Sequence, residues 1–266
     1  MKFGIKLYSM IVFKEVQRFF VYKGNIFAGC IRGILMLAAR YALWVALFST
    51  GNTAGTTLRE IMTFFIISDM LYVWLASQYG DTIGGDIESG NIAQFLVRPY
   101  PYHLQLVASF HASAISDTLT RSLPMLIIAI LFIGIAPPVS VTALLFFTVS
   151  LLLGAIIYSL IDLIISYTAF WLTKYWYLKW FRGSLFKLFG GLVLPLWFYP
   201  EWLVSICNIL PFQFAIFMPI SIYLGRVPVS NITFVLGMQI FWIAVLFILE
   251  RIVWRIAQHK LVVQGG

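Results

Sequence analysis

Long apolar runs separated by short polar stretches organise this chain. The first run covers about residues 26–48 and carries Arg32 and Arg40. A stretch with Gly51 and Gly55 separates it from a second run, about residues 58–79, which carries Asp69. Residues 80–103, GDTIGGDIESGNIAQFLVRPYPYH, are the most polar part of the sequence. A third run, about residues 104–135, holds Asp117, Arg121 and Pro124. A kink is expected at Pro124, because proline lacks an N–H and clashes with the preceding turn. Pro137 and Pro138 mark a turn into a fourth run, about residues 139–171, longer than a bilayer requires. Lys174, Lys179, Arg182 and Lys187 then alternate with Trp and Tyr, which reads as an aromatic, basic membrane interface. A short fifth run, about residues 184–199, contains Pro195, and Pro200, Pro211 and Pro219 punctuate the neighbourhood of another at 203–224. The last run, about residues 231–249, leads into a short tail with Glu250, Arg251, Arg255 and Lys260.

These runs are continuous rather than alternating, which excludes the in/out strands of an outer-membrane barrel. Lipid leaves helices as the other solution, at roughly 20 residues per crossing. Composition agrees: of 266 residues, 61% are hydrophobic and 11% charged, against about a quarter charged in soluble domains. The net charge of +8 follows from Lys and Arg gathering in cytoplasmic segments, so nucleic acid is not an expected partner. Residues 1–24 interleave Lys2, Lys6, Lys14, Glu15, Arg18 and Lys23 with apolar positions. They read as an interfacial helix, or as an ordinary basic flank, and not as a cleavable signal.

Charge also sets the number of crossings. Both ends are basic and prefer the cytoplasm, so the number must be even. The proline-broken run at 203–224 is the one to demote, as a segment entering from outside and returning. Six spans then place 13 of the 18 Lys and Arg inside, Arg59 and Arg226 outside, and Arg32, Arg40 and Arg121 within spans. The expected fold class is an all-α integral membrane protein: one domain over residues 1–266, with six transmembrane helices. An interfacial helix at 1–24 and an extracellular re-entrant segment at 200–229 complete it. No internal repeat divides the chain.

Ionisable groups within spans are functional candidates, because they are costly in lipid. Arg40 lies nine residues before Ser49 and Asp69 eleven after Leu58. At ~1.5 Å per residue a hairpin brings them to similar depth. They are expected to pair inside the bundle, either for folding or along a transport path. Asp117 and Arg121, four apart, suit an intrahelical pair. Asp162 falls near the inner surface, where water is available to it. His103, His111 and His259 are scattered, and Cys30 and Cys207 form neither a disulfide framework nor a zinc spacing. No hydrolase or zinc-ligand motif is present. The glycine-rich stretch around Gly84 and Gly85 lacks the G-K-[ST] of a P-loop and carries Asp81, Asp86 and Glu88. The chain is therefore expected to hold no nucleotide site and to perform no catalysis of its own.

Three acids in a cytoplasmic loop break the basic pattern of such loops. Ile87, Ile92, Phe95 and Leu96 can form the apolar side of a short helix ended by Arg98 and Pro99. Such a helix suits docking into the groove of a soluble partner. The run GDIESGNIAQFLVRPYP resembles the cytoplasmic coupling segment of ABC-2 type transporter permeases, through Ile87, Gly90, Leu96, Arg98 and Pro99. The later run GGLVLPLWFYPEWLVSICNILPFQFAIFMPISIYLG is similar to the same small six-helix bacterial exporter permeases. Its matching positions include Gly190, Gly191, Pro195, Pro200, Trp202, Leu210, Pro211, Phe212, Pro219, Tyr223 and Gly225.

The resemblance implies a dimer of permease subunits, of the same or related chains, in the bacterial inner membrane with a cytoplasmic ABC ATPase dimer. No cofactor would be bound directly, and ATP and Mg would sit in the ATPase subunits. Coupling would fall on Gly84, Gly85, Asp86, Ile87, Glu88, Ser89, Gly90, Leu96, Arg98 and Pro99. An outer gate would involve Pro200, Trp202, Pro211 and Phe212. The expected function is export of an amphipathic substrate such as an antibiotic, a peptide or a lipid. Two other classes remain in view: an ion-coupled carrier titrating Asp69, and a membrane-embedded enzyme. The absence of inverted halves argues against the first, the absence of acid–base motifs against the second.

Overall fold

The computed structural model describes residues 10, 13, 17, 23–51, 55–75, 85–86, 114, 117–172 and 176–261. Among the described residues the regular structure is helical. Helix α1 spans Lys23–Ser49 and α2 spans Leu58–Leu75. A π-helical turn, Thr118–Ser122, runs into α3, Leu123–Phe132. Helix α4, Val141–Tyr167, ends in a 3-10 turn, and α5 spans Trp176–Phe189. Three short helices follow: α6, Glu201–Ile209; α7, Phe212–Ala215; and α8, Phe217–Tyr223. The last, α9, covers Val229–Leu261.

Among the described residues three stretches are long and apolar enough to cross a bilayer: Phe27–Ser49, Val141–Phe170 and Val229–Ala257. Of these, 11% of the first and 28% of the second are buried within the chain. Helix α1 is thus peripheral and α4 central. Helix α4 packs chiefly against α9, α8 and α7, around a core that includes Phe64, Ile157, Tyr158, Phe186, Ile216 and Ile220.

Capping chemistry sets the helix starts. At α2, Thr57 Oγ1 accepts from the Glu60 N–H at 3.2 Å while Glu60 Oε2 accepts from the Thr57 N–H at 3.1 Å. This is a reciprocal capping box. At α4, Ser140 Oγ accepts from the Ala143 N–H at 3.0 Å. Three turns converge at the same end of the bundle. Arg59 donates to Ile135 O at 2.7 Å and Thr63 Oγ1 accepts from the Ala136 N–H at 2.8 Å, joining the α1–α2 end to the α3–α4 turn. Tyr223 Oη donates to Ala136 O at 3.0 Å, and Arg226 reaches Gly55 O at 3.2 Å, adding the α8–α9 turn.

Several expectations change. The fifth helix occupies Trp176–Phe189 rather than 184–199, so the basic, aromatic stretch is itself helical. On it Arg182 and Phe186 are buried while Tyr177, Trp180 and Phe181 are exposed, and the chain leaves it at Gly190 and Gly191, the latter at φ +73°. Glu250, Arg251 and Arg255 are not in a separate tail. Helix α9 runs through them to Leu261, because no Gly or Pro lies between residues 238 and 261 to stop it. At Pro124 the accommodation is the π-helical turn immediately before it. The wider i→i+5 winding gives the proline ring room. The interfacial segment 1–24 lies outside the described residues except for positions 10, 13, 17, 23 and 24.

Candidate functional site

The α1–α2 hairpin places Arg40 against Asp69, and the guanidinium donates to Asp69 Oδ2. The same guanidinium lies over the Phe65 ring, 4.9 Å from its centroid, an attractive arrangement for a cation on an aromatic face. Both side chains are partly open, at 18% and 29% exposure, because they border a cleft.

That cleft, ≈ 440 Å³, is formed by α1, α2, the π-turn, α3 and α5. Its α1 wall uses Gly29, Arg32, Gly33, Met36 and Arg40, a spacing of three or four that puts them on one helix face. Opposite stand Asp69, Tyr72, Ser122 and Lys187. A Cβ added at Gly33 would meet nothing within 4 Å, so that glycine leaves the groove open. Ser122 is 2% exposed and its Oγ has no hydrogen-bond partner among the described residues. Along the neighbouring face of α1 runs an apolar trough of ≈ 550 Å³ that shares Arg32 and Met36 with the cleft and adds Phe27, Ile31 and Leu35.

A second ion pair lies deeper, where Arg182 of α5 donates to Asp162 of α4. The Asp162 side chain is 0% exposed and that of Arg182 5%. This corrects two expectations, that Asp162 is solvated near the inner surface and that Arg182 belongs to a membrane interface. Burial of a charge is tolerated only with a partner, and the α4–α5 hairpin supplies one. Glu250 is likewise buried, accepting from Tyr167 Oη at 3.1 Å.

Helices α6–α8 are held from within the bundle. The backbone break between α7 and α8 falls at Ile216, and Pro219 has no N–H to offer the Ala215 carbonyl. Gln239 of α9, fully buried, binds the carbonyl next to it: its Nε2 donates to Phe214 O at 2.7 Å and to Ser150 O at 2.9 Å. Gly154 of α4 permits this approach, since a Cβ there would lie 2.5 Å from Ala215 O. Gln239 was not among the expected site residues, although it is a side-chain amide in the middle of an apolar run. The four residues expected at an outer gate fall in and around α6 and α7. Phe212 packs on Phe186 with ring centroids 5.2 Å apart, Pro211 precedes α7 and Pro200 precedes α6, whereas Trp202 is 66% exposed.

Of the expected coupling residues, Gly85 and Asp86 are described, both helical. Gly84, Ile87, Glu88, Ser89, Gly90, Leu96, Arg98 and Pro99 lie outside the described residues, as does the side chain of Arg121. Among the described residues no group of His, Cys, Asp and Glu is arranged to hold a metal ion.

A model of the family described as ABC-2 family transporter protein matches residues 34–265, from within α1 to beyond α9. The chain belongs to this family. No curated protein and no solved structure matches it. ABC-2 permeases are generally non-catalytic membrane subunits that work with ABC ATPases. The matched region contains the Arg40–Asp69 and Asp162–Arg182 pairs, Gly154 and Gln239.

Proposed function

We propose that this chain is the permease subunit of an ATP-driven exporter, moving an amphipathic substrate outward across a bacterial inner membrane. The observation that carries the reading is the ABC-2 family match over residues 34–265. Six crossings with both termini cytoplasmic account for the bundle. The α1–α2, α3–α4 and α8–α9 turns share one end, which an up–down sequence of spans requires. Helices α6–α8 make the extracellular re-entrant segment. The clasp of Gln239 on Phe214 O supports this, because Gly154 lies 13 residues from the α4 start, about 20 Å along the helix.

Two permeases, identical or related, pair in the membrane. The segment from Gly84 to Pro99 receives the motion of a cytoplasmic ATPase dimer, in which ATP and Mg are bound. A cysteine replacing Glu88 tests this in native membranes with a short bifunctional crosslinker. The expected product is an adduct with a P-loop ATPase that the wild-type chain does not give. Absence of that adduct, together with transport driven by an ion gradient alone, would establish the carrier reading instead.

A further inference from the structure

The cleft and the adjoining trough form one amphipathic site. Three cations, Arg32, Arg40 and Lys187, face one carboxylate, Asp69, and that carboxylate is already bound to Arg40. Neither Arg32 nor Lys187 has a carboxylate partner among the described residues. Simple snorkelling does not explain both. Lys187 lies 11 residues into α5 from Trp176, about 16 Å along the helix, farther than one lysine stem reaches. The cleft floor adds Ser122 Oγ, buried and without a partner among the described residues, at the end of a π-helical turn. Such turns are frequent at functional sites. The trough beside it offers Phe27, Ile31 and Leu35 and shares Arg32. A hydrocarbon chain laid there would bring its headgroup to the cations.

We propose that this site binds one anionic amphiphile drawn from the cytoplasmic leaflet, its headgroup between Arg32, Arg40 and Lys187 and its chain in the α1 trough. The assignment of leaflet rests on the exporter topology above. The sign of the charge rests on the cleft: a cationic amphiphile would meet two unneutralised positive groups. A zwitterionic headgroup would bring a cation against the same pair.

The test uses the full chain in phosphatidylcholine nanodiscs without nucleotide. It is photolabelled with phosphatidylglycerol or phosphatidylcholine carrying the same diazirine acyl chain. Saturable labelling of α1 peptides by phosphatidylglycerol is expected. The double variant Arg32→Gln/Lys187→Gln should weaken it about 30-fold, as loss of two basic residues at a membrane surface implies. Arg32→Lys/Lys187→Arg should retain it. Both side chains are exposed, so neither variant leaves a buried charge. Equal labelling by the two lipids, an unchanged double variant, or crosslinks joining two copies of the chain across α1 would overturn the proposal. Because no ATPase takes part, loss of lipid selectivity with intact ATPase association would remove the site and leave the exporter reading standing.

Discussion

Replacing Gly154 with alanine tests how helices α6–α8 are seated. The added Cβ would lie 2.5 Å from Ala215 O and 3.1 Å from Phe214 O, both backbone atoms. Carbon–oxygen contacts settle at about 3.3 Å, so the α7–α8 break must retreat by ~0.8 Å. The bond from Gln239 Nε2 to Phe214 O, now 2.7 Å, would then stretch to the edge of hydrogen-bond range. Overpacking costs about 1–3 kcal/mol and the weakened bond about 1 kcal/mol more. The expected loss is about 2–4 kcal/mol, a fall in melting temperature on the order of 5–10 °C for a chain of this size. Thermal unfolding in detergent micelles, followed by tryptophan fluorescence, measures it. Gly237→Ala in α9 is the matched control: a Cβ there meets nothing within 4 Å, so the helix propensity of alanine should hold or slightly raise the melting temperature. Gln239→Ala should also destabilise, and the double variant should fall short of the sum, since both changes release the same clasp. Equal melting temperatures for Gly154→Ala and Gly237→Ala, or strict additivity of the double variant, would refute the reasoning.

Other expectations concern the ion pairs. Asp162→Leu should cost about 3–5 kcal/mol by taking the carboxylate from the buried Arg182 guanidinium, and Asp162→Leu/Arg182→Met should recover most of it; urea or thermal unfolding distinguishes the two. Arg40→Gln or Asp69→Asn should destabilise by about 1–3 kcal/mol, less than at the deeper pair because the cleft gives partial solvation. The exchange Arg40→Asp/Asp69→Arg should restore folding yield in membranes. Tyr167→Phe should cost about 1 kcal/mol through the lost bond to Glu250, seen as a modest shift of the same melting curve.

The hairpin arithmetic that aligned Arg40 with Asp69 contains the second pair as well. Asp162 and Arg182 lie ten residues either side of Leu172, so the same count would have joined them. The signal was obscured because Trp, Tyr and Lys in alternation also describe a membrane surface. Prolines were more legible. Pro200, Pro211 and Pro219 deny any long helix between α5 and α9, and three short ones result. Less legible was where α7 would sit, since Gly154 and Gln239 belong to helices far apart in sequence and meet it only through tertiary packing. The π-turn before Pro124 was readable only as a kink, because side-chain pattern carries no record of which carbonyl each N–H selects. Family membership was legible in the order and spacing of the two loop motifs, and the match over residues 34–265 agrees with it.

The central claim is that this ABC-2 permease acts with separate ATPase subunits. Purification of the full chain from its native membranes in a mild detergent, with quantitative identification of what accompanies it, tests that claim directly. The expected companion is a P-loop ATPase in equal molar amount, lost when Ile87 and Glu88 are both replaced by alanine while the permease still elutes as a folded dimer. A folded, membrane-active chain recovered with no ATPase would contradict it.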